Sequence, residues 1–224
     1  MSLVFEKILP LVNKITEKFN LVSYEITEEG IKDYDWYNKI FYSFNKFRRA
    51  HIEVLDRREQ NNMWIMHTTV FPHLDDDAPI FGFDIICTGN KVSGVFHDLS
   101  ITTNPNHPLQ VNFKKLVSNL TWKRERELPE WGKAIFSEDM IAAGGSNTEQ
   151  ELQQIVDVCL ESLDVYLRNI GATNFPSPIS SKEMQNRYCK YQKMNPYPVK
   201  MLTNFGLTEE QARQFVEKHL FPEV

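Results

Sequence analysis

Residues 50 to 101 hold four short apolar stretches: Ala50–Leu55, 62–71, 80–87 and Lys91–Ile101. Only the polar or turn-forming runs "DRREQNN", "HLDDDAP" and "TGN" separate them. Connections this short leave no room for the crossover of about a dozen residues that parallel neighbours require. The four stretches therefore predict an antiparallel meander, and whatever the chain does must be arranged around that sheet.

Two of these strands carry an ionisable residue among apolar ones: His67 in "MWIMHTTVFP" and Asp84 in "APIFGFDII". Alternate residues of a strand share a face. His67 therefore stands with Ile65, Thr69 and Phe71, and Asp84 with Gly82 and Ile86. A hairpin symmetrical about Asp75 and Asp76 pairs position 67 with 84. Directly opposed Cβ atoms lie about 4.5–5.5 Å apart, close enough for an imidazole and a carboxylate to meet. The preceding strand places Glu53 of "AHIEVL" on one face with His51 and Leu55, and one register sets it beside His67. Such a Glu–His–Asp row would be a coupled proton-handling surface: the carboxylates favour the imidazolium, whereas burial disfavours every charge. The same residues also fit a buried structural His–Asp pair, and the residues alone do not choose between these readings.

The flanks are helical. Val4, Ile8, Leu11, Val12, Ile15 and Phe19 recur at helical spacing, with Pro10 set to kink or split the segment. "WYNKIFY" reads as aromatic-rich surface ahead of the first strand. After Pro105 come a helix and a Pro-bounded loop, then one more strand in "GKAIFSEDMIAAGG". Three capping boxes, Thr148/Glu151, Ser180/Glu183 and Thr208/Gln211, open helices, the first of which ends at Gly171. "GATNFPSPIS" reads as a linker. Strands cluster in the middle and helices at the ends, an α+β pattern, and residues 1–224 read as one domain.

Several functions have no support. A net charge of −5 argues against a general nucleic-acid binder. Apolar runs are too short or too interrupted by charge for a membrane span or a signal peptide, so a cytoplasmic protein is expected. Cys87, Cys159 and Cys189 form no CxxC pair and suit free thiols in a reducing compartment. There is no HExxH spacing for a metal, no nucleophile elbow and no Gly-rich phosphate loop. "LDDDAP" lacks the ligand spacing of a calcium loop and reads as a solvated turn.

Six pieces in order, "FRRAHIEV", "MHTTVFP", "APIFGFDI", "VSGVFHDLS", "RELPEWGKAIFSE" and "NRYCKYQKMN…NFG…HLF", make the chain resemble the ferredoxin-dependent bilin reductases over residues 47 to 221. Other members have Asn in place of His67, so the histidine resembles the phycocyanobilin-type branch. The resemblance implies a three-layer α/β/α sandwich with a central antiparallel sheet, and a bilin lying between sheet and C-terminal helices. It implies no bound metal or organic cofactor, electrons from reduced [2Fe-2S] ferredoxin, and biliverdin IXα as substrate of a monomer. By the same resemblance Asp84 is the central proton donor, His67 its partner and Glu53 the acid for vinyl reduction. Ser93, Arg126 and Asn195 match substrate contacts, the first two at the propionates. Where the phycocyanobilin enzymes have a lysine, this chain has Tyr197, with Lys200 displaced. That departure and the short chain resemble the viral offshoot of the branch, so phycoerythrobilin is the expected product, with phycocyanobilin second. Acidic ferredoxin would meet a basic rim of Lys46, Arg48, Arg49, Arg187, Lys190, Lys193 and Lys200. A bilin carrier without redox chemistry is the rival, although Cys87 on the face opposite Asp84 and Cys159 in a helix stripe are poorly placed for attachment.

Overall fold

The computed structural model describes residues 2–100, 106–171 and 180–224. Helices α1 (Leu3–Ile8) and α2 (Pro10–Asn20) precede strands β1 (Tyr24–Ile26), β2 (Tyr37–Tyr42) and β3 (Phe47–Arg57). A helical turn, α3 (Arg58–Asn61), leads to β4 (Met63–Pro72), β5 (Ile80–Thr88) and β6 (Lys91–Ser100). Next come α4 (Pro108–Val117), β7 (Arg124–Glu125), α5 (Glu130–Lys133) and β8 (Ile141–Gly144). The remainder is helical: α6 (Glu149–Asn169), α7 (Ser181–Gln192), α8 (Pro196–Asn204) and α9 (Glu209–Phe215), the last running into a π-helical turn, Val216–Leu220.

The strands form one antiparallel sheet in the order β1-β2-β3-β4-β5-β6-β8-β7, so the expected meander is its centre. Helices cover both faces. Ile8, Leu11, Ile15 and Phe19 from the N-terminal helices and Leu152, Ile155, Cys159 and Leu163 from α6 pack on one side. Tyr188, Leu202, Ala212 and Phe215 from α7, α8 and α9 pack on the other. This is the α/β/α sandwich of an α+β chain.

The two faces differ in how completely they are closed. On the α6 side, Ile52, Trp64, Met66, Val70, Phe81, Phe83, Ile85 and Val95 are all buried. On the α7 side, Ile65, His67, Asp84, Ile86, Phe96 and Ala142 are only half-buried. A one-residue slip of β4 or β5 would turn the sealed apolar set toward the half-open side, so burial of one face locks the register that arranges the other.

Several expectations need correction. "WYNKIFY" is not surface: it contains β2, whose Ile40 and Phe41 are fully buried, and β3 extends well beyond Ala50–Leu55 in both directions. The short strand β7 and helix α8 were not foreseen. The acidic turn is not wholly solvated, because Asp76 is buried; its Oδ1 accepts from Ala78 N at 2.9 Å and its Oδ2 from Gly171 N at 2.6 Å. Pro10 does split the first helical segment, as N1 of α2. All three capping boxes are formed. Ile101 and most of the "GATNFPSPIS" segment, residues 172–179, lie outside the described residues. No described helix is long and apolar enough to cross a membrane.

Gly171 closes α6 with φ +71°, and a Cβ there would collide with the carbonyl oxygen of Asn45. Left-handed backbone and backbone crowding together leave no inexpensive relaxation. Gly171→Ala is expected to cost about 2 kcal/mol or more, read as a lowered urea midpoint at unchanged m-value.

Candidate active site

Register brings three ionisable groups into one row. β3 pairs Glu53 with His67, and β4 pairs His67 with Asp84. The row continues to Asn38 on β2 and to Phe96 and Ala142 on β6 and β8. His67 Nδ1 and Asp84 Oδ1 form a very short contact, with the imidazole N–H donating to the carboxylate. Thr69 Oγ1 stands 2.8 Å from His67 Nε2. A hydroxyl can donate or accept, so that contact serves the ring whether it is neutral or protonated.

The three groups are solvated differently. The Asp84 side chain is 43% exposed and that of His67 12%, whereas Glu53 as a whole residue is 2% exposed. Burial pushes the Glu53 carboxyl up to about 7, although the His67 charge and the Trp36 indole N–H, 3.0 Å from Oε1, both favour its anion. Burial works against the His67 imidazolium as well. There Asp84, beside it, and Glu53 outweigh the penalty, and the pKa is raised. Near neutral pH the row thus contains an imidazole biased toward its charged form and a carboxyl close to its midpoint.

The adjoining row, His51, Thr69, Gly82 and Asp98, is also polar. Burial drives the His51 pKa well down, reinforced by Arg49, His67 and His219. Its Nε2 lies 3.3 Å from Asn38 Oδ1, leaving Nδ1 buried without a partner. Asp98 is raised to about 6 by burial, even though Ser137 and Ser100 donate to it. From the helical side, the Tyr188 hydroxyl lies over Gly82, where a Cβ would stand 3.5 Å away, and receives a bond from Gln192 Nε2 at 2.9 Å. Burial, then the Asp84 charge, keep that phenol protonated.

Ser93 and Arg126 also come together. Arg126 donates from its guanidinium to the Ser93 carbonyl and lies over the Phe96 ring, 5.5 Å from its centroid. A Cβ on Gly144 would collide with that same carbonyl, so the close approach of β8 to β6 needs a glycine there. The Ser93 hydroxyl donates to Ile86 O at 3.1 Å. Asn195 and Lys200 are set apart from the row. Asn195 caps α8, accepting from Tyr197 N at 3.1 Å, and Lys200 is exposed on that helix.

The basic rim is smaller than its sequence suggests. Arg49 is buried and cannot present charge to a partner. Lys46 donates to the carbonyls of Arg168 and Ile170, at the C-terminal end of α6. Arg48 binds Gln185, Arg187 binds the Ala134 carbonyl, and Lys193 pairs with Glu223. Lys190 and Lys200 remain exposed.

Trp36, Asn38 and Tyr188 belong to the site's surroundings and were not singled out from the sequence. An aromatic next to a strand has many uses, and only the β2–β3 pairing reveals that Trp36 can reach Glu53. Among the described residues no group of three or more His, Cys, Asp or Glu is arranged to hold a metal ion.

Comparison with known proteins adds a relationship to this geometry. Residues 13–222 match the family described as ferredoxin-dependent bilin reductase. The phycocyanobilin:ferredoxin oxidoreductase of Synechococcus sp. strain CC9605 is 32% identical over 180 residues, covering 78% of this chain and 71% of that protein. The Prochlorococcus marinus strain MIT 9515 protein of the same name is 27% identical over 185 residues, covering 81% and 75%. Two solved structures share the fold. That of PcyX has a TM-score of 0.64 at 24% identity, covering 97% of this chain and 99% of that one. Tomato phytochromobilin synthase in complex with biliverdin has a TM-score of 0.72 at 16% identity, covering 97% and 82%.

Glu53 titrates near 7 when folded, against about 4.3 for an unperturbed glutamate. A raised carboxyl pKa stabilises the folded state fully below the unfolded value, and that contribution disappears as pH rises through the folded one. Between about pH 4 and about pH 8 the wild type should lose about 3 kcal/mol relative to Glu53→Gln. Paired urea titrations measure this; a difference that stays flat across the range excludes the raised pKa.

Proposed function

The chain belongs to the ferredoxin-dependent bilin reductase family, and from that membership we propose that it reduces biliverdin IXα to a phycobilin, with Asp84, His67 and Glu53 as its proton-handling groups. The observation that carries this reading is the asymmetry of the sheet: one face is sealed, and the other holds a half-open Glu53–His67–Asp84 row beneath α7.

The reaction comprises two two-electron reductions acting on carbon–carbon double bonds. In each, two electrons arrive singly from reduced ferredoxin and two protons are added. An electron added to a conjugated tetrapyrrole makes it more basic, so a nearby acid can then protonate the radical. Asp84 is the group most able to touch the ligand, because its carboxylate is the most exposed of the three. His67, held through Nδ1, supplies protons to Asp84 and steadies its anion. Glu53, with a pKa near 7, can offer a proton at the other end of the row at neutral pH.

Biliverdin carries two propionates, and Ser93 with Arg126 forms an anchor beside Phe96 for one of them. Asn195 and Lys200 approach the ligand from the junction of α7 and α8. Ferredoxin meets the exposed Lys190 and Lys200, where steering would be salt-sensitive. Phycoerythrobilin is the favoured product and phycocyanobilin the second. One feature supports that order: Tyr197, 74% exposed, stands in place of the phycocyanobilin-type lysine.

The test is anaerobic mixing of protein and biliverdin with reduced ferredoxin, followed by absorption spectroscopy and chromatography of the product. Conversion to a phycobilin supports the reductase, and binding without conversion identifies a carrier. Asp84→Asn keeps the shape but cannot donate as an acid. It should bind biliverdin within a fewfold of wild type, yet form product at least about 100-fold more slowly. Undiminished turnover by Asp84→Asn would remove Asp84 from the chemistry.

A further inference from the structure

Arg57 is the last residue of β3 and shares the parity of Glu53 and Leu55, with pairing unbroken from Arg49 to Arg57. It therefore belongs to the same sheet face as the Glu53–His67–Asp84 row. Four residues of strand put its Cα about 13 Å from that of Glu53, a gap that a long side chain shortens.

Its guanidinium lies over the ring of Phe205, 4.0 Å from the centroid, at the end of α8. Phe205 packs edge-on against Trp36 with centroids 6.2 Å apart, and the Trp36 indole N–H donates to Glu53. The arginine is thus tied to the Glu53 end of the row through two aromatic rings. Arg126, stacked on Phe96, occupies the Asp84 end in the same manner.

Unlike buried Arg49, Arg57 is partly exposed, and among the described residues its guanidinium has no hydrogen-bond or ion-pair partner. Its neighbour Arg58 forms a fork with Asp56, Nε donating to Oδ1 and a terminal nitrogen to Oδ2. Among the described residues no carboxylate pairs with Arg57, although it is half-buried. Stacking orients a planar guanidinium while leaving its N–H edges unspent, an arrangement suited to bidentate capture of a carboxylate.

We propose that Arg57 binds a carboxylate of the substrate, so that Arg57 and Arg126 hold the two acid groups of a dicarboxylic tetrapyrrole laid across the row. This rests on the reductase reading, with biliverdin as the ligand. It adds a binding residue on β3, at the opposite end of the row from the Ser93–Arg126 anchor but displaced along the strands in the same direction as Ser93.

Equilibrium binding of biliverdin and of its dimethyl ester to wild type, Arg57→Gln and Arg57→Lys tests the assignment. Wild type should prefer the free acid. Arg57→Gln should weaken the free acid about tenfold or more while leaving the ester within about twofold, and Arg57→Lys should fall between. Equal weakening of both ligands overturns the proposal, because it indicates a packing role through Phe205. Unchanged binding of the free acid, with a raised KM for ferredoxin alone, overturns it in favour of partner docking. Wild-type protein that binds neither tetrapyrrole defeats the reductase reading itself, and this inference with it.

Discussion

Everything at the site depends on the pairing of β4 with its two neighbours. Glu53, His67 and Asp84 are far apart in sequence and become adjacent only because β3, β4 and β5 align without a shift at those positions. No polar contact is strong enough to impose that alignment on three strands. The apolar residues at intervening positions do so: Ile52, Trp64, Met66, Phe83 and Ile85 are 2% exposed or less. Burying each such side chain contributes roughly 1.5–3 kcal/mol, and a slip would forfeit several together. The sealed face thus holds the polar row in register.

That division of labour lets the row carry charges that do not stabilise the fold. His67 and Asp84 compensate one another, but Glu53 is buried with one indole donor and a pKa far above its ordinary value. His51 is buried with one ring nitrogen unpartnered. These are costs of placing ionisable groups beneath helices, and a sheet stabilised only through this face could ill tolerate them. The opposite face also contains a histidine, and the contrast is informative. His97 has both nitrogens satisfied, by Gly82 O at 2.7 Å and Ser162 Oγ at 2.6 Å, and burial lowers its pKa to about 4. One buried histidine is neutral and fully partnered, while the other is biased toward its cation beside two acids.

Parity made much of this legible in the sequence. An ionisable residue inside an apolar strand names its own face, and the symmetrical hairpin about Asp75 and Asp76 is the observed register. The capping boxes were equally readable, because their hydrogen bonds are local. What could not be read depends on distant chain. β2 resembled surface because its aromatics and polar residues alternate irregularly, and it becomes a strand by pairing with β3. Asp76 looked solvated within an acidic run, yet it is buried by the end of α6, nearly a hundred residues later. Arg49 sits among other cations and appeared to belong to a rim. Its place on a strand, not its charge, determines that it is buried.

The row's two acids differ in a way that bears on the proposed pair of reductions. Asp84 is open toward the α7 side and directly bound to the His67 imidazole. Glu53 is sealed, bound to an indole that can only donate, and separated from Asp84 by the ring between them. A ligand lying across the row would meet one acid with a ready supply behind it and another whose proton is retained by desolvation. Acids in such unlike surroundings release their protons under different conditions, even when a single histidine couples them. On the proposed reading, that difference lets one flat site address two positions of the same ligand without moving it. The two acids share one face of the sheet and differ in cover: Glu53, on β3, is buried against the Trp36 indole, whereas Asp84, on β5, stands where that face is more exposed.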